Sequence, residues 1–354
     1  MARGCFLFTE NQVELQYRSK VTRMIKPIAN LVNNDRDVQV IGRIERVILS
    51  TGSNGQNYMI INLVDQSGRI EARKWLVQDG DVETIKPNEI ILIENGVASE
   101  YRNQLQLKVQ NYKILDQEEL KKWNLSYDDF FISAPLDVER EYPKLIELIQ
   151  GFKNQDYKAV TLKILNDNEA KFKKYPAAMT IHHNVQSGLF WHSYTLVRDC
   201  LAIKPNYAYA QVDWELVVCG AILHDIGKVV EMADVGATDY SLEGKLLGHI
   251  SIGNTFVAEA AKSLGVFYKD DGVINPNITL LEHMILASHG KNEYGSPVEP
   301  LLIEAIILST FDNLDAKIFK VNDELQKIGY GEWTPRIPTE DMKMFYNHTS
   351  EKEK

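Results

Sequence analysis

Two different periodicities divide the chain of 354 residues. Over residues 38–115, apolar and polar positions alternate in short runs that turn-forming residues separate, which is typical of β-strands. From residue 138 to about residue 328, apolar positions recur at intervals of three and four, the spacing of amphipathic helices. The sequence therefore predicts a multidomain α+β chain with a small β domain first and an all-α domain second.

The β pattern contains five predicted strands. The first two are separated by a Gly- and Asn-bearing turn at 51–55, and the third, at 69–75, alternates cleanly. A longer polar loop precedes the fourth strand at 90–93, and the fifth covers 105–114. Five short strands with a long connection before the fourth fit a small closed barrel, of which the OB-fold is the commonest type. Such barrels typically bind single-stranded oligonucleotides across one face.

Composition shifts and proline positions set the predicted domain boundaries. The stretch that ends at Pro135 has neither periodicity, so we place a bridge there. The predicted organisation is a basic N-terminal extension at 1–35, an OB-type barrel at 36–116, a linker at 117–138, the helical domain at 139–328 and a loose tail at 329–354. Further helical stretches are predicted at about 187–203, 213–224, 243–264, 278–289 and 298–320.

The charge and cysteine content limit the kinds of site that the chain can form. The net charge of −10 argues against a protein that coats nucleic acid through bulk electrostatics, although residues 1–34 are basic. The acidic excess lies in the C-terminal two thirds, where bound cations could compensate it. Only Cys5, Cys200 and Cys219 are present, without CxxC spacing, so any metal must be held by histidines and carboxylates.

Nothing in the sequence predicts a membrane partner. Nowhere do about 18 apolar residues run together, and charge interrupts the N-terminal stretch before a signal-peptide core could form. We therefore expect a cytoplasmic protein.

The histidines carry the strongest chemical signal. Seven of the eight fall between residues 182 and 289, and the sharpest motif is His224-Asp225-Ile226-Gly227-Lys228, directly after the apolar run 216–223. Adjacent His and Asp at the end of a buried helix can direct an imidazole nitrogen and a carboxylate at one point. A chance pair would look the same in isolation. Together with His192 and Asp312 on predicted helices, the motif predicts a metal site.

At these residues the chain resembles the HD superfamily of metal-dependent phosphohydrolases, whose pattern of His, His-Asp and Asp matches His192, His224-Asp225 and Asp312. Within the superfamily it is similar to the YhaM-type 3′-to-5′ exoribonucleases, which join an N-terminal OB-fold to a C-terminal HD domain. The similarity covers about residues 36–325. Its further motifs lie at 175–178, 182–183, 188–192, 244–253, 295–297 and 312–317.

The resemblance implies a centre for one or two divalent cations. One cation would be bound by His192, His224, Asp225 and Asp312, and a second would share Asp225 and take His249 and His289. Mixed imidazole and carboxylate ligands suit Mn²⁺, Fe²⁺, Ni²⁺ or Zn²⁺ better than Mg²⁺, and we favour Mn²⁺. Such cations activate water and neutralise phosphate charge.

Asp225 and Lys228 are the predicted catalytic residues. Asp225 would bridge the cations, and Lys228, one helical turn later, would contact a non-bridging phosphate oxygen. The alternative for Lys228 is a solvated lysine at a helix end. One departure from the family concerns the second cation, because Ser288 precedes His289 where the family has two successive histidines. The second cation would then bind more weakly or complete its coordination with water. Trp191 and Ser187 replace family residues at the periphery.

Residues of both predicted domains are candidates for binding substrate. His183, with its neighbour His182, and His283 could contact phosphate or a hydroxyl, and a capping or core role is the alternative for His283.

In the barrel, Arg69, Arg73 and Trp75 share one face of the third strand, with Tyr58 and Tyr101 as further stacking candidates. The remaining basic candidates for phosphate contact are Arg43, Arg46 and Lys74. In the alternative interpretation, the indole fills the barrel interior and the arginines pair with neighbouring acids.

These patterns favour a metal-dependent 3′-to-5′ exoribonuclease that hydrolyses single-stranded RNA to nucleoside 5′-monophosphates, with direction and product implied by the resemblance. Hydrolysis of single-stranded DNA stays open, because nothing visible reads a 2′-hydroxyl. Two alternatives remain: an HD-type nucleotidase or cyclic-nucleotide phosphodiesterase, and a non-catalytic RNA-binding protein with a decayed second metal site. The expected partner is single-stranded nucleic acid, RNA favoured, and the resemblance adds an expected homo-oligomer.

Overall fold

The β-strand pattern and the helical pattern fold into separate units. The computed structural model describes residues 25–52, 55–101, 104–177, 185–233 and 240–349. It divides the chain into Met1–Ser133, which contains the sheet, and Ala134–Lys354, which is helical. The predicted fold class, an OB-type barrel followed by an all-α domain, is confirmed.

The sheet closes on itself through its first strand. Its strands are β1 (Val38–Thr51), β2 (Asn57–Asp65), β3 (Gly68–Trp75), β4 (Ile90–Tyr101), β5 (Gln104–Lys108) and β6 (Asn111–Leu115), with the short helix α1 (Asp79–Thr84) between β3 and β4. The strand order is β1-β2-β3-β5-β4-β6. The first half of β1 also pairs with β4 while its second half pairs with β2, which closes the barrel.

The fifth predicted strand is two strands. Lys108 pairs with Val97 and Asn111 pairs with Glu94, so two residues on each side lie outside the ladder. At this point Val109 donates its N–H to the carbonyl of Arg73 on β3, which draws the chain away from β4. Alternation continues through this break, which is why the sequence alone predicts one strand.

The segment predicted as a linker is partly a component of the barrel unit. Helix α2 (Gln117–Lys122) and a 3₁₀ turn at Tyr127–Phe130 follow β6. Leu120 and Phe130 are buried against Ile41 and Leu92, because the outer side of the barrel is apolar there. The described end of the predicted N-terminal extension is also packed, since Ile28 and Leu31 belong to the barrel core.

The helical unit has one apolar core formed by eight helices among the described residues. They are α3 (Val138–Gln150), α4 (Gln155–Lys174), α5 (Gly188–Ile203), α6 (Trp214–Leu223), α7 (Lys228–Glu231), α8 (Leu242–Ser263), α9 (Pro276–Leu286) and α10 (Ile303–Leu325). None of the helices that the structure describes combines the length and apolar character needed to cross a bilayer.

Helix α8 is two helices joined at a glycine. Gly248 has φ 71° and ψ 156°, a backbone conformation outside the helical region that favours glycine. His249 therefore begins a new helical segment, whose first backbone N–H groups have no carbonyl partner within that segment. This break decides how His249 enters the site described below.

The segment predicted as a tail contacts the C-terminal end of α10 over its described residues, 329–349. Thr334 donates its N–H to Phe345, and Gly331 donates to Asn347, so the chain folds back on itself. The Asn347 side chain donates to the carbonyls of Leu325 and Ile328, at the C-terminal end of α10. Unpaired carbonyls at a helix end need such donors, which explains why the segment packs there.

Candidate metal centre and nucleic-acid surface

Six predicted ligands converge in the helical unit. His192 lies on α5, His224 and Asp225 directly follow α6, His249 lies on α8 after the break, His289 follows α9, and Asp312 lies on α10. They form two groups of three, and within each group the ligand atoms lie within 4.8 Å of one another. The groups are His192 with His224 and Asp312, and Asp225 with His249 and His289.

Glycine explains how the His-Asp motif meets α8. A Cβ added at Gly227 would lie 2.0 Å from the carbonyl oxygen of His249, and 2.8 Å from the backbone nitrogen of Gly253. No side chain fits that space. The glycine of the motif therefore allows the backbone that carries His249 to approach the backbone that carries Asp225.

The first group presents two imidazole nitrogens to one point. His192 Nε2 lies 3.1 Å from both His224 Nε2 and Asp312 Oδ1. On the far side of the rings, His192 Nδ1 is 2.6 Å from Asp315 Oδ2, and His224 Nδ1 is 3.1 Å from the carbonyl of Ala221. Carboxylates and carbonyls accept hydrogen bonds, so they hold the proton at Nδ1 and direct the Nε2 lone pairs inward.

The second group repeats this arrangement. His249 Nε2 lies 3.1 Å from His289 Nε2, and His249 Nδ1 lies 2.9 Å from Glu231 Oε1. The same carboxylate oxygen accepts the backbone N–H of His249 at 3.0 Å, at the start of the helical segment after the break. His289 Nδ1 lies 3.0 Å from Asp312 Oδ2, and the backbone N–H of His289 donates to the Ser296 hydroxyl.

Asp225 lies between the two groups. Its Oδ2 is 3.3 Å from His224 Nε2, and its Oδ1 is 3.4 Å from His249 Nε2. Oδ1 is buried and has no hydrogen-bond partner among the described residues. Burial alone would raise the pKa of Asp225, but the charges of Lys228 and His224 hold that pKa well below its usual range. A buried, ionised oxygen without a partner is what a cation ligand requires.

The electrostatics of the first group also favour a cation. Burial opposes a charged imidazole, yet the carboxylates of Asp312 and Asp315 raise the pKa of His192 to about 9. Burial likewise opposes ionisation of Asp312, and His192 and His289 outweigh it, so its pKa lies far below the usual range. The carboxylates of this pocket therefore stabilise positive charge. Its imidazole and carboxylate donors fit one or two divalent cations.

Lys228 is buried, so the alternative of a solvated lysine is wrong. Its Nζ lies 2.7 Å from Asp225 Oδ2, and only 7 % of the residue is exposed. His283 is on α9, outside both groups of ligands, and its Nε2 accepts the backbone N–H of Leu301 at 3.1 Å. This contact corresponds to the capping alternative for His283. His182 and His183 lie outside the described residues.

Outside the centre, the barrel places Arg69, Arg73 and Trp75 on its outer face. Trp75 is 47 % exposed and stacks on Tyr58, with ring centroids 4.7 Å apart, so it does not fill the barrel interior. The Arg73 guanidinium lies 5.7 Å from the Tyr58 ring centroid and 5.8 Å from that of Tyr101. The two arginines also pair with acids, Arg69 with Glu45 and Arg73 with Glu71.

Two basic residues that the sequence offers for phosphate contact are internal. Arg43 is buried, with its guanidinium 4.3 Å from the Phe131 ring centroid. Lys74 is buried as well, and its Nζ lies 3.3 Å from Asp81 Oδ2. Arg46 remains exposed.

Comparison with known proteins decides the family. Residues 189–317, which include all six ligands, match the HD domain model, and residues 38–115 match an OB-fold nucleic acid binding domain. The 3′-5′ exoribonuclease YhaM of Bacillus subtilis is 36 % identical over 300 residues, 85 % of this chain and 91 % of the relative. The chain belongs to the YhaM family.

Two further YhaM proteins support the assignment. The Geobacillus sp. protein is 34 % identical over 309 residues, which cover 87 % of this chain and 91 % of the relative. The Halalkalibacterium halodurans protein is 35 % identical over 300 residues, which cover 84 % of this chain and 88 % of the relative. Both are named 3′-5′ exoribonuclease YhaM. The resemblance inferred from the motifs is confirmed.

Three residues that orient ligands in this YhaM-family centre escape sequence reasoning. Asp315 and Glu231 contact the Nδ1 atoms of His192 and His249, and the Ser296 hydroxyl accepts the backbone N–H of His289. Asp315 and Ser296 lie in runs that carry the family resemblance, and Asp315 follows Asp312 by one helical turn. That spacing was the available signal. No signal in the sequence identifies Glu231, because its contact with His249 depends on the break in α8.

The serine that replaces a family histidine is fully buried. Ser288 is 0 % exposed, and its hydroxyl oxygen has no hydrogen-bond partner among the described residues. The two groups of three ligands form without it.

Proposed function

We propose that this protein is a metal-dependent 3′-to-5′ exoribonuclease that hydrolyses single-stranded RNA to nucleoside 5′-monophosphates. The observation that carries the proposal is the convergence of six ligands into two adjacent groups within an HD domain. Membership of the YhaM family supports the direction of hydrolysis and RNA as the substrate.

The residues of the two groups would hold one or two divalent cations, and Asp225 lies between the groups. The mixed donor set favours Mn²⁺, with Fe²⁺, Ni²⁺ and Zn²⁺ as alternatives and Mg²⁺ as the least suited. When bound, divalent cations supply an activated water and neutralise charge on the phosphate oxygens.

The residues of the chain prepare this chemistry by fixing donors and charge. Asp315 and Glu231 hold the protons of His192 and His249 at Nδ1, which keeps both Nε2 lone pairs available. Lys228 places a buried positive charge beside Asp225, where it would stabilise negative charge on a bound phosphate.

The outer face of the barrel would hold the strand. Trp75 offers an exposed indole on which a base can stack, and Arg69 and Arg73 lie along the same strand as phosphate partners. The ion pairs of both arginines with acids would have to loosen when phosphate binds. Because stacking does not read a 2′-hydroxyl, we extend the proposal to binding of single-stranded DNA.

A 5′-labelled RNA with a single-stranded 3′ tail tests the proposal directly. With Mn²⁺, the wild-type protein is expected to give a ladder that shortens from the 3′ end and releases nucleoside 5′-monophosphates. Asp225→Ala and a chelator should both abolish the ladder. Asp270→Ala removes an exposed carboxylate of the same unit and should leave it unchanged. Internal cleavage, or intact RNA with metal bound, would contradict the proposal.

A further inference from the structure

A carboxylate lies among the aromatic side chains on the outer face of the barrel. The guanidinium carbon of Arg73 is 5.7 Å from the ring centroid of Tyr58 and 5.8 Å from that of Tyr101. The same side chain donates from Nε to Oε1 of Glu71 at 2.7 Å. A single guanidinium group therefore contacts Glu71 and lies beside two rings on which a base can stack.

Glu71 projects from the same face of β3 as Arg73 and Trp75, because alternate residues of a strand share a face. Its side chain is 32 % exposed. Its register partners on the neighbouring strands are Asn62 on β2 and Gln106 on β5, both uncharged. The carboxylate is thus accessible to a nucleic acid that lies along this face.

The carboxylate of Glu71 is fixed in place and retains acceptor capacity. Gln106, which is only 8 % exposed, donates from Nε2 to Oε1 at 2.8 Å. Both printed donors, Gln106 and Arg73, use Oε1, so Oε2 has no hydrogen-bond partner among the residues that the structure describes. Movement of Arg73 to a phosphate would also free a lone pair of Oε1, while Gln106 keeps the carboxylate oriented.

The chemistry of a carboxylate selects among the bases. It repels phosphate, so on this face it suits N–H donors of a base edge. Guanine presents two adjacent donors, N1–H and the N2 amino group, on its Watson–Crick edge, and they match the two oxygens of a carboxylate. Adenine and cytosine present one amino group beside a ring-nitrogen acceptor, and the N3–H of uracil lies between two carbonyl oxygens that repel a carboxylate.

Arg73 already occupies this place with a group of the same kind. A guanidinium is planar and carries N–H donors around one carbon, as N1–H and the N2 amino group do around C2 of guanine. It lies beside Tyr101, whose residue is 52 % exposed, while it donates to Glu71. Departure of Arg73 would leave a stacking surface and an oriented acceptor for a base.

We propose that Glu71 binds the Watson–Crick edge of a guanine that stacks on Tyr101, so that the barrel holds single-stranded RNA with a preference for guanine at one position. This inference rests on the proposed function, in which the outer face of the barrel holds the strand. It adds a base-selective contact to stacking and phosphate contacts, neither of which distinguishes guanine from adenine.

The test measures binding of RNA by the full-length protein in an Asp225→Ala background, which prevents cleavage. The probes are labelled uridine strands of about 12 nucleotides with one central guanosine, adenosine or inosine. Fluorescence anisotropy should show about tenfold tighter binding of the guanosine RNA than of the adenosine RNA, whose purine stacks but lacks both donors. Inosine, which keeps N1–H and lacks the N2 amino group, should give an intermediate affinity. With Glu71→Gln added, the guanosine and adenosine RNAs should bind equally, and the adenosine RNA no more weakly than before.

Controls separate this inference from folding and from the proposed function. Glu45→Gln removes another carboxylate that pairs with an arginine of the barrel, and it should keep the tenfold preference. The thermal unfolding midpoint should be the same in all variants. Equal binding of guanosine and adenosine RNAs without the Glu71 substitution, or a preference that survives Glu71→Gln, would overturn the inference, whereas the proposed function stands if wild type shortens RNA from its 3′ end. Absence of both RNA binding and hydrolysis would overturn both proposals.

Discussion

Asp312 contacts His289 through one carboxylate oxygen and His192 through the other. Oδ2 lies 3.0 Å from His289 Nδ1, and Oδ1 lies 3.1 Å from His192 Nε2. The carboxylate can therefore serve as a ligand in the first group while it orients an imidazole of the second. The two groups are coupled through this residue as well as through Asp225.

Asp312→Asn should disable both groups. An amide presents an oxygen on one side and an NH₂ group on the other, so either His289 Nδ1 faces a donor or the first cation does. We expect RNA hydrolysis to fall at least about 100-fold and bound Mn²⁺, measured by elemental analysis, to decrease. Asp323→Asn, on the exposed side of the same helix, is the matched control. Unchanged metal content would contradict the coupling.

Substitutions of Asp315 should weaken Mn²⁺ binding to an extent that depends on the hydrogen-bond acceptor left for His192 Nδ1. Asp315→Asn keeps an acceptor but removes the charge, and we expect about tenfold weaker Mn²⁺ binding. Asp315→Leu removes the acceptor as well, so the expected loss approaches about 100-fold. Titration of Mn²⁺ by calorimetry measures both. The same affinity for the two variants would show that the charge alone matters.

Gly227→Ala should lower stability and disturb the second group. Its Cβ would meet the backbone of His249, which cannot move without displacing α8. Overpacking of this kind costs about 1–3 kcal/mol of unfolding free energy, measurable by urea denaturation. Gly329→Ala is the control, because its Cβ would meet only the Glu332 side chain at ordinary contact distance. Equal stability of the two variants would show that α8 moves to accommodate the added methyl group without a cost in free energy.

His283 should make stability depend on pH. Burial lowers its pKa, and the neutral Nε2 accepts the Leu301 N–H. As pH falls below about 6.5, the unfolded chain binds a proton that the folded chain does not, so the free energy of unfolding decreases until pH reaches the lower folded pKa. His283→Gln keeps an acceptor without titrating.

The stability difference between His283→Gln and wild type should therefore shift in favour of the variant between pH 7 and pH 5, as urea denaturation at each pH would show. A constant difference would contradict the assigned role. RNA hydrolysis at neutral pH should be unchanged in this variant, whereas a large rise in KM would indicate the substrate contact that the sequence also allowed.

Trp75→Ala should weaken RNA binding. The indole is exposed and stacked on Tyr58, and loss of one stacking surface costs about 1–3 kcal/mol per base. In an Asp225→Ala background, which prevents cleavage, fluorescence anisotropy should show about tenfold weaker binding of labelled RNA. Trp333→Ala removes an even more exposed indole from the C-terminal segment and should have no effect. Equal losses would point to a general effect of apolar surface.

Periodicity and motifs determined the architecture and the ligand types from sequence alone. Alternation with period two and recurrence at three and four residues follow from burial of one face of a strand or helix, so they are visible locally. The same logic placed Arg69, Arg73 and Trp75 on one face of β3, and the structure shows that this face is the outer one. The His-Asp motif indicated metal binding, because the types of side chain that can serve as metal ligands are visible in the sequence.

Only the tertiary structure decided how these residues meet. The division into two groups depends on five segments that approach from distant positions in the sequence, and the contact of Glu231 with His249 depends on a break at Gly248. The environment of a charged side chain depends on which element packs over it, so the burial of Lys228 is invisible to a local pattern.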